Sequence, residues 1–257
     1  MKLDRSPLVL NDIAYDLAVQ GVQLDKAMQY AESAVTSVAN SLRNIEAANL
    51  TMDDLRNVAS LAAYWDTLGW VYFQKGDLDA AEKYLKAAWT LQQHSEVGHH
   101  VGAVAEKRGN KPEAIRLYAQ GAVADRVMPE ARESLLKLTS ADSLDKLLET
   151  ARKELPSYNR FDLGELVPNL KEPAEAEFFI VITPDASRHA QIVDVKFIKG
   201  AESLKALASQ LKSMKYALVF PDSSPTKIVR RGALVCVAKP GPCTFTLISP
   251  DMITSVE

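Results

Sequence analysis

The stretch Trp65–Ser95, WDTLGWVYFQKGDLDAAEKYLKAAWTLQQHS, decides how the first half of this chain folds. Its apolar and small residues recur at helical spacing on both sides of Gly76 and Asp77, a pair typical of a tight turn. Gly69 leaves room for a second helix to cross closely, and Ala81 is small enough to pack into that crossing. The stretch therefore predicts two helices joined by a short turn.

The same spacing returns 33 residues later, close to the period of about 34 residues of one class of helix-turn-helix repeat. The second copy consists of Val101, Gly102, Gly109, Ala114 and Tyr118. A weaker copy upstream fits the same frame if its turn, at Val22–Leu24, holds one extra residue, and it consists of Ile13, Ala14, Leu17, Gly21 and Ala27. The copies predict a stack of helix pairs.

These recurring positions resemble the tetratricopeptide repeat family. The resemblance implies an all-α solenoid in which the first helix of each repeat lines a concave face that binds a protein or peptide partner. The family positions that contact ligand fall here on Asn11, Tyr15, Asp66, Trp70, Phe73, Gln74, His99, Glu106 and Lys107.

Trp70 and Phe73 stand three residues apart on one predicted helix face. An aromatic pair on a concave surface is a credible peptide anchor, because it offers a large apolar area with few rotamers to freeze. The alternative interpretation is that inserted helices or the C-terminal domain cover these rings. The sequence leaves both interpretations open.

Further helical segments extend the predicted solenoid through residues 1–155. Between the weaker upstream copy and the copy at Trp65–Ser95, the helical period continues through Ala31–Arg43 and Asp53–Trp65. These segments predict two lengthened helices joined near Ala47–Thr51. After the last copy, Pro129–Leu138 and Ser143–Leu155 are predicted to cap the stack with a polar outer face.

The composition changes after a linker at residues 156–173. Residues 174–257 contain short β-branched or aromatic runs bounded by Pro, Gly, Asp and Ser, with a single helical segment at Ala201–Ser213. We expect a small α+β domain whose strands are Phe178–Thr183, Ile192–Ile198, Tyr216–Phe220, Ala233–Ala238 and Cys243–Ile248.

This second domain resembles the C-terminal domain of TonB-type energy transducers, through Val193, Val195, Phe197, Gly200, Leu204, Leu207, Leu211, Tyr216, Phe220, Pro221, Val235 and Phe245. The resemblance implies partner binding by strand addition at a sheet edge. Lys227, Arg230 and Arg231 lie beside the last hairpin and are candidates for attracting an acidic peptide there. Alternatively, they protect an edge strand from aggregation. The proline-rich spacer and membrane anchor of a true transducer are missing from this chain, which argues against energy transduction.

The two parts together, including AAYWDTLGW at Ala62–Trp70 and RRG at Arg230–Gly232, are similar to the C-terminal region of exported bacterial proteins that carry a transglutaminase-like domain upstream. The similarity implies a bacterial periplasmic or cell-envelope location and a chain that is a fragment or a stand-alone relative. Met1–Asn11 lacks the apolar core of a signal peptide.

Cys236 and Cys243 bracket a predicted turn with Pro240 and Gly241 at its centre. That turn places the two sulfurs on one face of a hairpin but diagonally, which strains a bridge. Two interpretations fit: a disulfide, which implies an oxidising compartment, or two small half-buried residues.

Composition and motifs narrow the function. A net charge of −3 gives no basic excess for nucleic-acid binding, and no run approaches the ~20 apolar residues of a membrane span. The histidines lack metal-ligand spacing, and no phosphate loop or nucleophile motif is present, so we predict no metal, cofactor or catalytic residue. Two functions stay open: a non-catalytic protein-binding scaffold, or an accessory substrate-recognition region of a larger transglutaminase-like or protease-like enzyme.

Overall fold

The computed structural model describes residues 6–166, 170–238 and 241–256, which divide into two compact units. The first, here called the helical unit, consists of the described residues through Val38 together with Ser60–Pro156. The second, the sheet unit, consists of Ala39–Ala59 and the described residues from Ser157 onward. The division differs from the predicted single cut because Ala39–Ala59 belongs with the C-terminal part of the chain.

A series of helices accounts for the N-terminal part of the chain. Within the described residues these are α1 (Pro7–Gln20), α2 (Leu24–Leu42), α3 (Met52–Lys75), α4 (Leu78–Leu91), α5 (Ser95–Lys107), α6 (Lys111–Gly121), α7 (Pro129–Leu138) and α8 (Ala141–Glu154). The lengthened α2 and α3 are joined by a 3-10 turn at Ala47–Asn49, as the sequence predicts. The two helices expected after the last repeat are also confirmed, as α7 and α8.

The α3–α4 and α5–α6 pairs repeat the same packing one period apart. A Cβ added to Gly69 would lie 2.7 Å from Cγ of Leu85, and one added to Gly102 would lie 2.4 Å from Cδ1 of Tyr118. Each glycine therefore meets the residue sixteen positions further along, where the second helix of its pair crosses. The predicted role of Gly69 in a close helix crossing is confirmed.

The turns of these two pairs also match. Gly76 and Gly109 both adopt the left-handed backbone conformation, with φ values of 84° and 77°, that ends a helix. Asp77 and Asn110 follow them, and each accepts a hydrogen bond from the backbone N–H three residues later at the start of the next helix. Turn chemistry and helix packing thus recur together.

The sheet unit contains a five-stranded antiparallel sheet in the order β1-β5-β4-β2-β3. Among the described residues the strands are β1 (Arg160–Asp162), β2 (Ala174–Pro184), β3 (Ala190–Gly200), β4 (Ile228–Cys236) and β5 (Cys243–Leu247). A 3-10 segment, Glu202–Leu207, leads into the short helix α9 (Ala208–Lys212) and packs with it on β2 and β3. This arrangement confirms a helical region followed by a small α+β region.

Both faces of the sheet are covered at its centre. The run Phe178–Ile182 in β2 is buried at every residue, although alternate side chains of a strand point to opposite faces. Leu204, Leu207 and Leu211 cover one face, and the turn Ala47–Asn49 contacts β2 and β3. The residues inserted between the upstream copy and the copy at Trp65–Ser95 therefore contribute to the core of the sheet unit.

Three sequence predictions need correction here. Tyr216–Phe220 is not a strand of the sheet. It makes one isolated bridge, between Val219 and His189, and the residues directly before and after it have no regular secondary structure. The predicted linker contains β1, which pairs with β5, while its residues 167–169 lie outside the described part of the chain. The strand expected at Ala233–Ala238 begins earlier, at Ile228.

Candidate functional site

A cavity of about 180 Å³ opens on the side of the helical unit formed by alternate helices. Its walls come from α1, α3, α5 and α7, which is one helix of each successive pair. This cavity, called the Tyr15 cavity below, is lined by Tyr15, Val19, Trp70, Ser95, Glu96, His99, His100, Met128, Glu130 and Ala131.

The deepest polar feature of the cavity is an ion pair between two helices. Nδ1 of His100 lies 2.9 Å and 3.1 Å from the two carboxylate oxygens of Asp66, and both side chains are buried. Burial opposes the charged imidazolium, but the carboxylate of Asp66, together with those of Glu96 and Glu130, outweighs burial and raises the pKa of His100 above its ordinary value. The pair joins α3 to α5 beneath the cavity.

Aromatic rings pack around this ion pair. Trp70 stacks on His100, with ring centroids 4.0 Å apart, and on Phe73, with centroids 4.6 Å apart. The indole nitrogen of Trp70 is buried and makes no hydrogen bond to the described residues. The predicted aromatic pair therefore forms a wall held by His100, with Trp70 half-buried rather than fully exposed.

His99 supplies a second aromatic surface, one turn away from Glu96. It stacks on Tyr118 at 5.7 Å, and the hydroxyl of Tyr118 donates to Oε2 of Glu106 at 2.7 Å. Burial and the neighbouring His100 lower the pKa of His99 to about 4. His99 is therefore neutral at physiological pH.

Carboxylates line the other side of the cavity. The hydroxyl of Tyr15 donates a hydrogen bond to Oε1 of Glu96, which holds α1 against α5. Burial raises the pKa of Tyr15 above its ordinary range, and the carboxylates of Glu96, Asp66 and Glu130 raise it further. The negative charges of all three carboxylates therefore act on the Tyr15 hydroxyl.

The predicted concave-face residues divide into three groups. Three of them line the cavity directly: Tyr15, Trp70 and His99. Three support the lining from behind, through the contacts described above: Asp66, Phe73 and Glu106. The rest do not line the cavity: Asn11, which is buried, Gln74, which is half-buried, and Lys107, which is exposed.

Sequence reasoning missed the other seven residues that line the cavity: Val19, Ser95, Glu96, His100, Met128, Glu130 and Ala131. The signal for His100 was present in the repeat itself. His100 lies 34 residues after Asp66, about one repeat period, so adjacent first helices bring the two side chains together. A search for metal ligands on a single helix could not detect this pairing.

The cationic residues proposed for a sheet edge do not lie at one. Arg230 and Arg231 belong to β4, which pairs with β2 on one side and with β5 on the other. Both side chains are buried and have polar partners there. Arg230 donates to Tyr216, Asn159 and the carbonyl of Ile248, and Arg231 pairs with Glu177. Lys227 donates to the carbonyl oxygen of Ile45 at 2.8 Å. The edge-strand prediction is wrong for Arg230 and Arg231, since β4 is an interior strand, and Lys227 lies just before that strand.

Cys236 and Cys243 are joined by a disulfide. They are direct partners in the β4–β5 register, with Cα atoms 4.0 Å apart, so the predicted diagonal placement is wrong. The reason is that the ladder ends at the two cysteines and leaves a longer connection than a two-residue turn. Pro240, expected at the centre of that turn, lies outside the described residues.

Comparison of the chain with protein-family models, with curated proteins and with solved structures found no match in any of the three. In the part of the chain that the structure describes, no cluster of three or more His, Cys, Asp or Glu side chains is arranged to hold a metal ion. Among the described helices, none combines the length and hydropathy needed to cross a bilayer.

Proposed function

We propose that the helical unit is a tetratricopeptide-type array that binds a peptide or protein segment at the Tyr15 cavity, and that the chain acts as a non-catalytic recognition module. The observation that carries this proposal is the cavity itself, to which every second helix contributes. Its mouth presents exposed apolar side chains, Val19 and Met128, and such surface is a mark of interaction sites.

The repeat assignment rests on two helix pairs that share three features. The close glycine crossing, the left-handed turn glycine and the polar N-cap recur with a spacing of 33 residues. A unit built this way buries its apolar faces by stacking and leaves the first helices free to line a groove. The α7 and α8 helices close the stack, since Leu135, Leu144 and Leu148 are buried while the charged residues around them are exposed.

For the sheet unit we propose a TonB-like domain in a chain that works in the cell envelope. The hairpin of β2 and β3, the helical segment after it and the hairpin of β4 and β5 occur in the order expected from the resemblance, although the aromatic strand expected at Tyr216–Phe220 is replaced by a single bridge. The Cys236–Cys243 disulfide supports an oxidising compartment, where such bonds persist.

The test is selection of peptides on the full chain. A displayed random-peptide library is panned against the chain, and recovered peptides are measured by fluorescence polarisation against Val19→Arg and Leu8→Arg variants. Both residues are exposed on α1, but only Val19 lines the cavity. A long side chain at the mouth is expected to weaken binding about tenfold or more, equivalent to about 1.4 kcal/mol, while Leu8→Arg binds like the parent. Failure to enrich any peptide, or equal binding by both variants, contradicts the proposal.

A further inference from the structure

The Tyr15 cavity carries negative charge that its own groups do not neutralise. Glu96 and Glu130 line it, and none of the described residues that line it is Lys or Arg. Asp66 lies below them but is paired with His100, which compensates its charge. Glu96 is half-buried and Glu130 exposed, so both carboxylates are accessible at the cavity while Asp66 is not.

Within the part of the chain that the structure describes, the other titratable groups near the cavity do not cancel this charge. His99 is neutral at physiological pH, since its pKa is lowered to about 4. Besides His100, Lys137 is the cationic group whose charge reaches His99, and it does not line the cavity. Glu130 and Asp66 act on His99 in the opposite sense. The lining therefore favours a cation.

The apolar part of the cavity suits the stem of such a cation. The exposed side chains of Val19 and Met128 line it, and so does the ring of Tyr15, whose centroid is 6.2 Å from that of His100. Lysine and arginine side chains pack their methylene stems along apolar surface and keep the charged head near acidic groups or aromatic rings. The hydrogen bond from Tyr15 fixes the Glu96 carboxylate in place for that head group.

Cavity size sets the scale of the occupant. Pockets for drug-sized molecules have volumes of roughly 300–1,000 Å³. The Tyr15 cavity, at about 180 Å³, is smaller and fits one side chain better than a whole small molecule.

We propose that the Tyr15 cavity takes the basic side chain, lysine or arginine, of the peptide segment that the helical unit binds, with Glu96 and Glu130 contacting its charged head. This inference rests on the proposed peptide-binding function. It adds a chemical class of ligand and two residues, Glu96 and Glu130, that determine specificity.

The experiment is a coupling measurement on the full chain. Each basic residue of a panned peptide is replaced by norleucine, which keeps the stem and removes the charge, and binding is measured to the parent chain and to Glu96→Gln and Glu130→Gln. Glutamine keeps an oxygen that accepts the Tyr15 hydroxyl. For one basic residue, the norleucine replacement is expected to weaken binding about tenfold or more, the scale of a hydrogen bond between charged groups. The same replacement should have little effect in the glutamine variants.

The matched control is Glu133→Gln on α7, an exposed carboxylate that does not line the cavity. It should leave the norleucine effect unchanged. Three outcomes overturn the inference. Peptides that bind through the cavity without a basic residue overturn it and leave the proposed function intact, as does a norleucine effect that is equal in the parent and glutamine variants. Recovery of no peptide overturns the proposed function as well.

Discussion

Each unit buries a cationic side chain, but the two environments differ. In the sheet unit, Arg230 is fully buried and donates to Tyr216, Asn159 and the carbonyl oxygen of Ile248, and its guanidinium lies 5.9 Å from the Tyr216 ring centroid. In the helical unit, His100 pairs with Asp66, stacks on Trp70 and lines a cavity. One cation is enclosed by the fold, and the other lies beneath a surface opening.

The difference shows why burial of a charge is not by itself a mark of function. A buried charge is tolerated where hydrogen bonds stabilise it, as the three from the Nη atoms of Arg230 do, and it then fixes the packing of the core. His100 satisfies the same requirement and also supports Trp70, which lines the cavity. The carboxylates of Glu96 and Glu130 then make that opening favour a cationic side chain. The comparison therefore predicts separable effects on stability and binding.

The largest stability effect is expected from Arg230→Ala. It removes the donors for the buried Tyr216 hydroxyl and for two half-buried acceptors, Asn159 and the carbonyl of Ile248, and it leaves space where the side chain was. The sheet unit should therefore lose about 3–5 kcal/mol. Peptide binding at the Tyr15 cavity should be unchanged wherever the chain stays folded. Hydrogen exchange of β2 and β4 measures the loss, because it reports opening of the sheet unit separately.

The control for this substitution is Tyr216→Phe. It removes one of the acceptors of Arg230 and keeps the ring, so a smaller loss of about 1 kcal/mol is expected. If Arg230→Ala costs no more than Tyr216→Phe, the hydrogen bonds to Asn159 and Ile248 contribute little. The description of Arg230 as an enclosed structural cation is then wrong.

The next effect in size is expected from Asp66→Asn, with a pH dependence. The folded state holds the His100 proton more tightly than the unfolded chain, since its folded pKa is raised. The pair therefore stabilises the helical unit fully below the unfolded pKa of about 6.5, and this stabilisation is lost as pH rises through the folded pKa. Asp66→Asn should cost about 1.5–3 kcal/mol at mildly acidic pH, with the difference from the parent shrinking as pH rises.

Tryptophan fluorescence during urea unfolding measures this difference, because all three tryptophans, Trp65, Trp70 and Trp89, lie in the helical unit. The control is Asp79→Asn, which removes an exposed carboxylate that pairs with Arg108. Its pKa is lowered by that pairing, so it stays ionised over the same pH range and its substitution should give no pH-dependent difference. A pH-independent effect of Asp66→Asn would show that His100 does not titrate as proposed.

The helical unit was predictable from sequence because its packing is local and repeated. The spacing of Gly69 and Ala81 predicts a close helix crossing, which the structure places at Leu85, and the 33-residue recurrence repeats it at Gly102 and Tyr118. The cavity was less predictable. Glu96 and Glu130 lie outside the repeat positions considered, and only the stacking of α1, α3, α5 and α7 brings them to one surface.

The sheet unit was less predictable because its strand pairing is not local. Tyr216–Phe220 alternates buried and exposed residues, which indicates a half-buried extended segment, yet alternation reports burial and not hydrogen bonding. Likewise, Arg230 and Arg231 looked like edge cations because charges in strands are usually exposed. Their partners, Tyr216, Asn159 and Glu177, are distant along the chain.

The smallest stability effect is expected from Glu96→Gln, and it sharpens the comparison most. The side chain is half-buried, and glutamine still accepts the Tyr15 hydrogen bond, so the free energy of unfolding should change by less than about 0.5 kcal/mol. Urea unfolding followed by tryptophan fluorescence measures this change. A loss as large as that of Asp66→Asn would make Glu96 part of the structural network that joins α1 to α5. If stability is unchanged while binding of a basic peptide weakens, the cavity carboxylates act in binding and the buried Asp66–His100 pair beneath them acts in stability. That is the same distinction between binding and structural charges that the comparison of the two units makes.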